Sequence, residues 1–87
     1  MHRQKHFDAF NELRRRLFLI ERDMKQNAAF PNLVTRIESV YISTINELIE
    51  RGKAFLSLNP ETEKTIVVAI DLDRYLSILK KYKLKNK

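Results

Sequence analysis

The stretch Ala54-Phe55-Leu56-Ser57-Leu58-Asn59-Pro60-Glu61-Thr62-Glu63-Lys64-Thr65-Ile66-Val67-Val68-Ala69-Ile70-Asp71 decides the fold, because two periodicities run through it. Read as a helix, Asn59 is an N-cap and Pro60 a first-turn residue. Glu61 and Glu63 then suit the positive end of the helix dipole. From there Val68, Leu72, Tyr75, Leu79 and Tyr82 repeat at 4, 3, 4, 3, one buried row that carries a helix to about Lys83. Read as a strand, Thr65 to Asp71 is rich in β-branched residues. Ile66, Val68, Ile70 and Leu72 alternate with Thr65, Val67, Ala69 and Asp71. Ala54–Leu58 would then be its hairpin partner, and a last helix would begin near Asp71 or Asp73. An isolated two-stranded hairpin is marginal unless it packs on helices.

Upstream the pattern is clearer. Phe10, Leu13, Leu17, Ile20 and Met24 are spaced 3, 4, 3, 4, and Phe7 extends the seam. This predicts a helix from about Lys5 to Gln26 that buries one side. Glu12 with Arg16 and Glu21 with Lys25 form i,i+4 pairs on its exposed faces. Phe18 and Leu19 lie beside the seam and make the apolar face wider than a two-stranded coil needs. Asn27 to Asn32 breaks the helix. Pro31 suits the first turn of a new one, and Phe30 before it is biased to extended backbone.

The second helix is expected from Pro31 to Arg51. Its main row is Val34, Ile37, Tyr41, Ile45 and Leu48, flanked by Leu33, Val40, Ile42 and Ile49. Gly52, the only glycine, is expected as a left-handed residue that stops this helix. The fold class that follows is all-α, a small antiparallel three-helix bundle over residues 1–83, with 84–87 a basic disordered tail. The alternative is two long helices, a β-hairpin at about 54–70 and a C-terminal helix.

The whole chain is consistent with one small domain. Its 87 residues are 44% hydrophobic and 32% charged, a balance of folded rather than disordered chains. One Gly and two Pro leave few breaks, which favours long helices. There is no Cys, so disulfides, thiolate metal sites and thiol nucleophiles are excluded. Nothing resembles a secretory leader or a membrane span, and a reducing cytoplasm is the expected compartment.

The net charge of +6 is uneven. Residues 1–25 carry seven basic and four acidic groups, whereas residues 74–87 carry six basic and none acidic. Such ends attract nucleic acid, an acidic protein or an anionic surface.

Little in the chain points to catalysis. One Gly cannot supply a phosphate loop. His2 and His6 share a helical spacing, but a metal site needs further ligands. Asp71, Asp73, Glu61 and Glu63 are the acidic cluster, and they read more simply as helix-start or turn carboxylates. No cofactor and no enzymatic activity are expected.

Two binding functions remain. The first is a protein-interaction or regulatory module, with a protein partner or a second copy as a homodimer. Its candidate face is Phe7, Phe18, Leu19, Ile42 and Ile49. The second is nucleic-acid binding through Arg14, Arg15, Arg16, Arg22, Lys25, Lys80, Lys81 and Lys83, with Lys85 and Lys87 beyond. The three consecutive arginines fan over about 200° of a helix and cannot share one groove. In an up-down-up bundle, however, Arg22, Lys25 and the C-terminal lysines come to one pole. A membrane-surface role is disfavoured because Tyr75, Leu79 and Tyr82 are needed for the core.

Overall fold

The computed structural model describes residues 2–58 and 63–85. It contains three helices, α1 (His2–Gln26), α2 (Pro31–Ser57) and α3 (Glu63–Lys85). Among the described residues there is no strand, so the hairpin alternative is excluded. Ala54–Ser57 form the last turn of α2, and Thr65–Asp71 lie within α3. The helical period prevails through the β-branched run because it keeps one row continuous. Val68, Leu72, Tyr75 and Leu79 are all buried. Strand alternation would have placed Ile66 and Ile70 beside Val68; instead they are 63% and 62% exposed. The segment carries more apolar residues than this core uses, which is why both periods were visible in it.

Hydroxyl side chains are absorbed into the helices. Thr35, Thr44 and Ser77 donate to the carbonyls of Pro31, Val40 and Asp73, four residues back, at 3.0, 2.7 and 3.0 Å. The chain reverses between α1 and α2 in a four-residue corner, Asn27 to Phe30. Asn27 holds it: its side-chain amide donates to the Asp23 carbonyl at 2.8 Å, and its own carbonyl accepts from the Phe30 N–H at 2.9 Å. Phe30 has φ −119° and ψ 83°, as the residue before a proline should, and Pro31 opens α2 without a side-chain cap.

Phe10, Leu17, Ile45, Leu48 and Val68 are fully buried, one or two from each helix, and they form the centre of the core. The core extends through Leu13, Tyr41, Ile49, Phe55, Leu72, Tyr75 and Leu79. α2 packs against both neighbours. No Cα of α1 comes within 8 Å of a Cα of α3 among the described residues. The bundle is therefore two helix pairs sharing α2, not three equal contacts.

Gly52 corrects the expected helix end. It sits inside α2, which continues to Ser57, and its backbone is not left-handed. It is buried, and a Cβ placed on it would lie 2.6 Å from Leu72 Cδ2 and 3.0 Å from Leu72 Cγ. Glycine is required here by the close approach of α3, not by a turn. Two other expected boundaries also shift. α1 begins at His2 rather than near Lys5. α3 runs to Lys85, into the segment expected as a tail. The expected cap and first turn at Asn59, Pro60 and Glu61 lie outside the described residues, as do residues 86 and 87.

The Gly52 contact makes a checkable statement about stability. An alanine gains about 1 kcal/mol of helix propensity over glycine, but overpacking a filled core costs typically 1–3 kcal/mol. Gly52→Ala is expected to lower the urea midpoint modestly. Gly52→Leu is expected to lower it severely, and the pair Gly52→Ala with Leu72→Ala to be less than additive. A Gly52→Ala chain more stable than the wild type would refute the close-approach reading.

Candidate interaction surface

Beside each buried seam on α1 and α3 runs a second row at the same helical spacing. On α1 it is Asn11, Arg14, Phe18, Glu21 and Lys25, one position after the main seam, with Phe7 where the two rows meet. On α3 it is Val67, Asp71, Arg74, Ile78 and Lys81, one position before it. These rows face each other. The Lys64 ammonium lies 4.7 Å from the centre of the Phe7 ring and donates to Gln4 Oε1 at 3.3 Å. Arg14 Nε is 2.8 Å from Asp71 Oδ2. Contacts thus advance seven residues on both helices together, so α1 and α3 run parallel and α2 antiparallel to both.

The Arg14–Asp71 pair spans the gap between α1 and α3. The Asp71 oxygen is buried, and its contact with Arg14 is an ion pair rather than an aligned hydrogen bond. Arg14 also donates to Asn11 Oδ1 at 3.3 Å. With Arg14 40% exposed, such a pair stabilises by at most about 1 kcal/mol. Its larger effect is to orient α3 against α1. It also removes Asp71 from the acidic cluster considered for chemistry.

Towards the C-terminal ends of α1 and α3 the gap opens into a cleft of about 350 Å³. Glu21, Met24 and Lys25 form one wall, and Arg74, Ile78 and Tyr82 the other, with Tyr41 of α2 at the floor. The Tyr41 hydroxyl donates to Glu21 Oε2 at 2.6 Å, and the Tyr82 ring meets the Tyr41 ring edge-on at 6.1 Å and 70°. The i,i+4 spacing pairs Glu21 with Lys25, but Tyr41 holds Glu21 instead, which leaves Lys25 at the rim.

All three tyrosines of the chain ionise above the ordinary value of about 10. For Tyr41 the first cause is burial of the phenol, followed by its bond to Glu21 and that carboxylate's charge. Burial also leads for Tyr75, with the Glu21 charge next, and for Tyr82, with the nearby Glu38 carboxylate next.

The expected interaction residues separate into two groups. Ile49 is buried in the core of the single chain, which corrects its assignment to an external face. Phe7 and Ile42 pack partly against the same core, and Phe7 stacks on Phe55 with centroids 5.3 Å apart. Phe18 and Leu19 are outside, at 66% and 41% exposure. They lie on different faces: Phe18 belongs to the row facing α3, and Leu19 does not. Sequence reasoning missed Val67 and Arg74, although the second row on α3 has the same 4, 3, 4 spacing as the first.

The basic residues are also sorted. Arg14 is turned to Asp71, while Arg15 and Arg16 lie 3.1 and 3.9 Å from Glu12. The three do not act as a group. Arg22 and Lys25 are exposed near the end of α1, and Lys80, Lys81 and Lys83 near the end of α3. Because the two helices are parallel, these cations share a pole, joined by Arg74 on the cleft wall.

The tyrosine cluster should govern alkaline stability. The folded chain holds the tyrosine protons more tightly than the unfolded chain. Its stability is therefore undiminished below about pH 10 and falls as pH rises above that value. Phenolate absorbance is expected to rise together with loss of helix rather than before it. Tyr41→Phe is expected to cost about 1 kcal/mol in urea unfolding, since the Glu21 acceptor loses its donor. Full tyrosine ionisation at pH 10 in a folded chain would contradict this.

Comparison of the chain with protein-family models, with curated proteins and with solved structures finds no match.

Proposed function

We propose that this chain is a non-enzymatic protein-interaction module whose contact surface is the furrow between α1 and α3. One observation carries the reading. Phe18 on the α1 row and Val67 on the α3 row stay 66% and 40% exposed, and the single chain's core has no use for them. Monomeric proteins seldom leave such side chains grouped along one groove unless a partner covers them. The polar groups near the furrow also fit binding better than catalysis, since the carboxylates of Glu21 and Asp71 are already engaged by Tyr41 and Arg14. The partner is another protein or a second copy of the chain. Leu19, Phe30, Leu33, Val40, Leu58, Ile66, Ile70 and Leu76 are exposed as well, and they lie outside the two facing rows.

A substitution pair tests the reading. Phe18→Glu with Val67→Glu alters only exposed positions. The variant is expected to keep its helix content and thermal midpoint, and to lose partners that the tagged wild-type chain retains in its native host. If both chains retain the same partners, the furrow is not the contact surface.

A second reading, nucleic-acid binding, is favoured by the pole where Arg22, Lys25, Arg74 and Lys81 meet. It is weakened by the dispersal of Arg14, Arg15 and Arg16. A phosphate-driven complex would be tightest at about 50 mM salt and weaken steeply by about 200 mM. A band shift with that salt dependence, lost in Arg22→Glu with Lys25→Glu, is the expected result for this reading; no shift at the lower salt rules it out.

A further inference from the structure

We infer that the cleft between the C-terminal halves of α1 and α3 binds a small amphipathic anion, an apolar or aromatic body that carries one carboxylate. The inference goes beyond the interaction reading and does not depend on it, because neither Phe18 nor Val67 lines the cleft.

The cleft is short and closed at one end. Arg14 and Asp71 bridge the gap two turns before Glu21 on α1 and one turn before Arg74 on α3. A long helix therefore has no continuous trough to lie in, whereas a small molecule has room. The volume of about 350 Å³ is at the lower end of the roughly 300–1,000 Å³ usual for ligand sites. It is about twice the roughly 150 Å³ that accommodates benzene in an engineered cavity. Met24, Ile78 and the rings of Tyr41 and Tyr82 supply apolar contact. The floor is preformed, since Tyr41 donates to Glu21 at 2.6 Å and meets the Tyr82 ring edge-on.

Charge selects the ligand. Three charged groups line the cleft: Lys25, Arg74 and Glu21. Glu21 accepts the Tyr41 hydroxyl, and Glu38, outside the lining, lies beside Tyr82. Among the described residues neither Lys25 nor Arg74 has a carboxylate within 4.0 Å. Arg74 lies over the Tyr75 ring instead, its guanidinium 5.5 Å from the centre. The two cations stand on opposite walls, Lys25 on α1 and Arg74 on α3. A carboxylate at the mouth accepts charge-assisted hydrogen bonds from both, whereas an ammonium there meets two like charges. Two cations against one carboxylate leave a place for a single negative charge, which favours a monoanion over a polyphosphate. A ligand charged at one end leaves its apolar body to Met24, Ile78 and the tyrosine rings.

The test uses the full chain and three ligands of one shape: 3-phenylpropanoate, its uncharged amide, and 3-phenylpropylamine. Binding is read from backbone amide chemical shifts at about 50 mM salt. The acid is expected to bind about tenfold tighter than the amide, the effect of one charge-assisted hydrogen bond. The amine is expected to bind weakest. The shifts are expected to cluster at Met24, Lys25, Tyr41, Ile78 and Tyr82. Lys25→Gln with Arg74→Gln alters two exposed positions. It is expected to reduce the acid to the affinity of the amide with helix content unchanged. Lys5→Gln with Lys53→Gln removes the same charge at exposed positions outside the cleft, and is expected to leave the tenfold preference in place. Phe18→Gln with Val67→Gln is expected to leave it too, so this inference and the interaction reading fail separately.

Equal affinity for acid and amide overturns the inference, and so does a titration with the acid that shows no binding by about 10 mM. A preference that persists in Lys25→Gln with Arg74→Gln overturns it as well. Shifts spread over lysines throughout the chain, or a preference lost equally in Lys5→Gln with Lys53→Gln, reduce the effect to net charge and overturn it. Displacement of the acid by a short DNA duplex, with a steep salt dependence, assigns Lys25 and Arg74 to phosphates and also overturns it.

Discussion

The structure depends on α2 packing against two helices at once. A helix of 27 residues has to offer one flank to α1 and another to α3. Tyr41, Ile45, Leu48, Ile49 and Phe55 supply the side chains for this. Gly52 supplies the absence of one, letting Leu72 approach to a distance that no Cβ would permit. The close contact at Gly52 brings α3 down onto α2. Nothing comparable draws α1 and α3 together, because their facing rows are mostly polar. The furrow follows from this inequality.

Polar chemistry in the gap is arranged to hold helices rather than to react. Arg14 reaches across to Asp71, Lys64 lies over Phe7, and Tyr41 takes Glu21 from beneath. Each joins two helices, and each uses a residue adjacent to a buried seam. What is left after these pairings is a surplus of cations towards the C-terminal pole and the exposed Phe18 and Val67 on the two walls of the furrow. A folded monomer gains nothing from either, since exposed apolar groups forgo the roughly 25 cal/mol per Å² that burial contributes. Their joint placement is the reason to read the furrow as a contact surface.

Much of this fold was legible as spacing. The seam from Phe10 to Met24, the row from Val68 to Tyr82 and the proline at the start of α2 each express one local rule, and the three helices follow from them. Thr65–Asp71 was ambiguous for a physical reason: Ile66, Val67 and Ile70 are apolar without being core, so strand alternation and helical period overlapped there. Gly52 was misread because a glycine after Glu50 and Arg51 satisfies the rule for a helix end equally well. Only the position of Leu72 on another helix distinguishes the two cases. The candidate interaction face was partly misread likewise. Width of an apolar face shows that neighbours exist, but whether a neighbour belongs to the same chain depends on how the helices are set around each other. Ile49 lies inside this core and Phe18 outside it.

The sequence by itself determined that the chain is helical, where the first reversal falls, which rows are buried, and that cysteine chemistry is absent. These are properties of spacing, propensity and composition, and they act within one helix. The tertiary structure alone decided which helix neighbours which, that Asp71 belongs to Arg14 and Glu21 to Tyr41, and that α1 and α3 stand apart. Those outcomes arise from contacts between residues 20 to 60 positions apart, such as Tyr41 with Glu21 and Lys64 with Gln4. No local pattern encodes such a distance. The furrow and its charge exist only once the three seams have met.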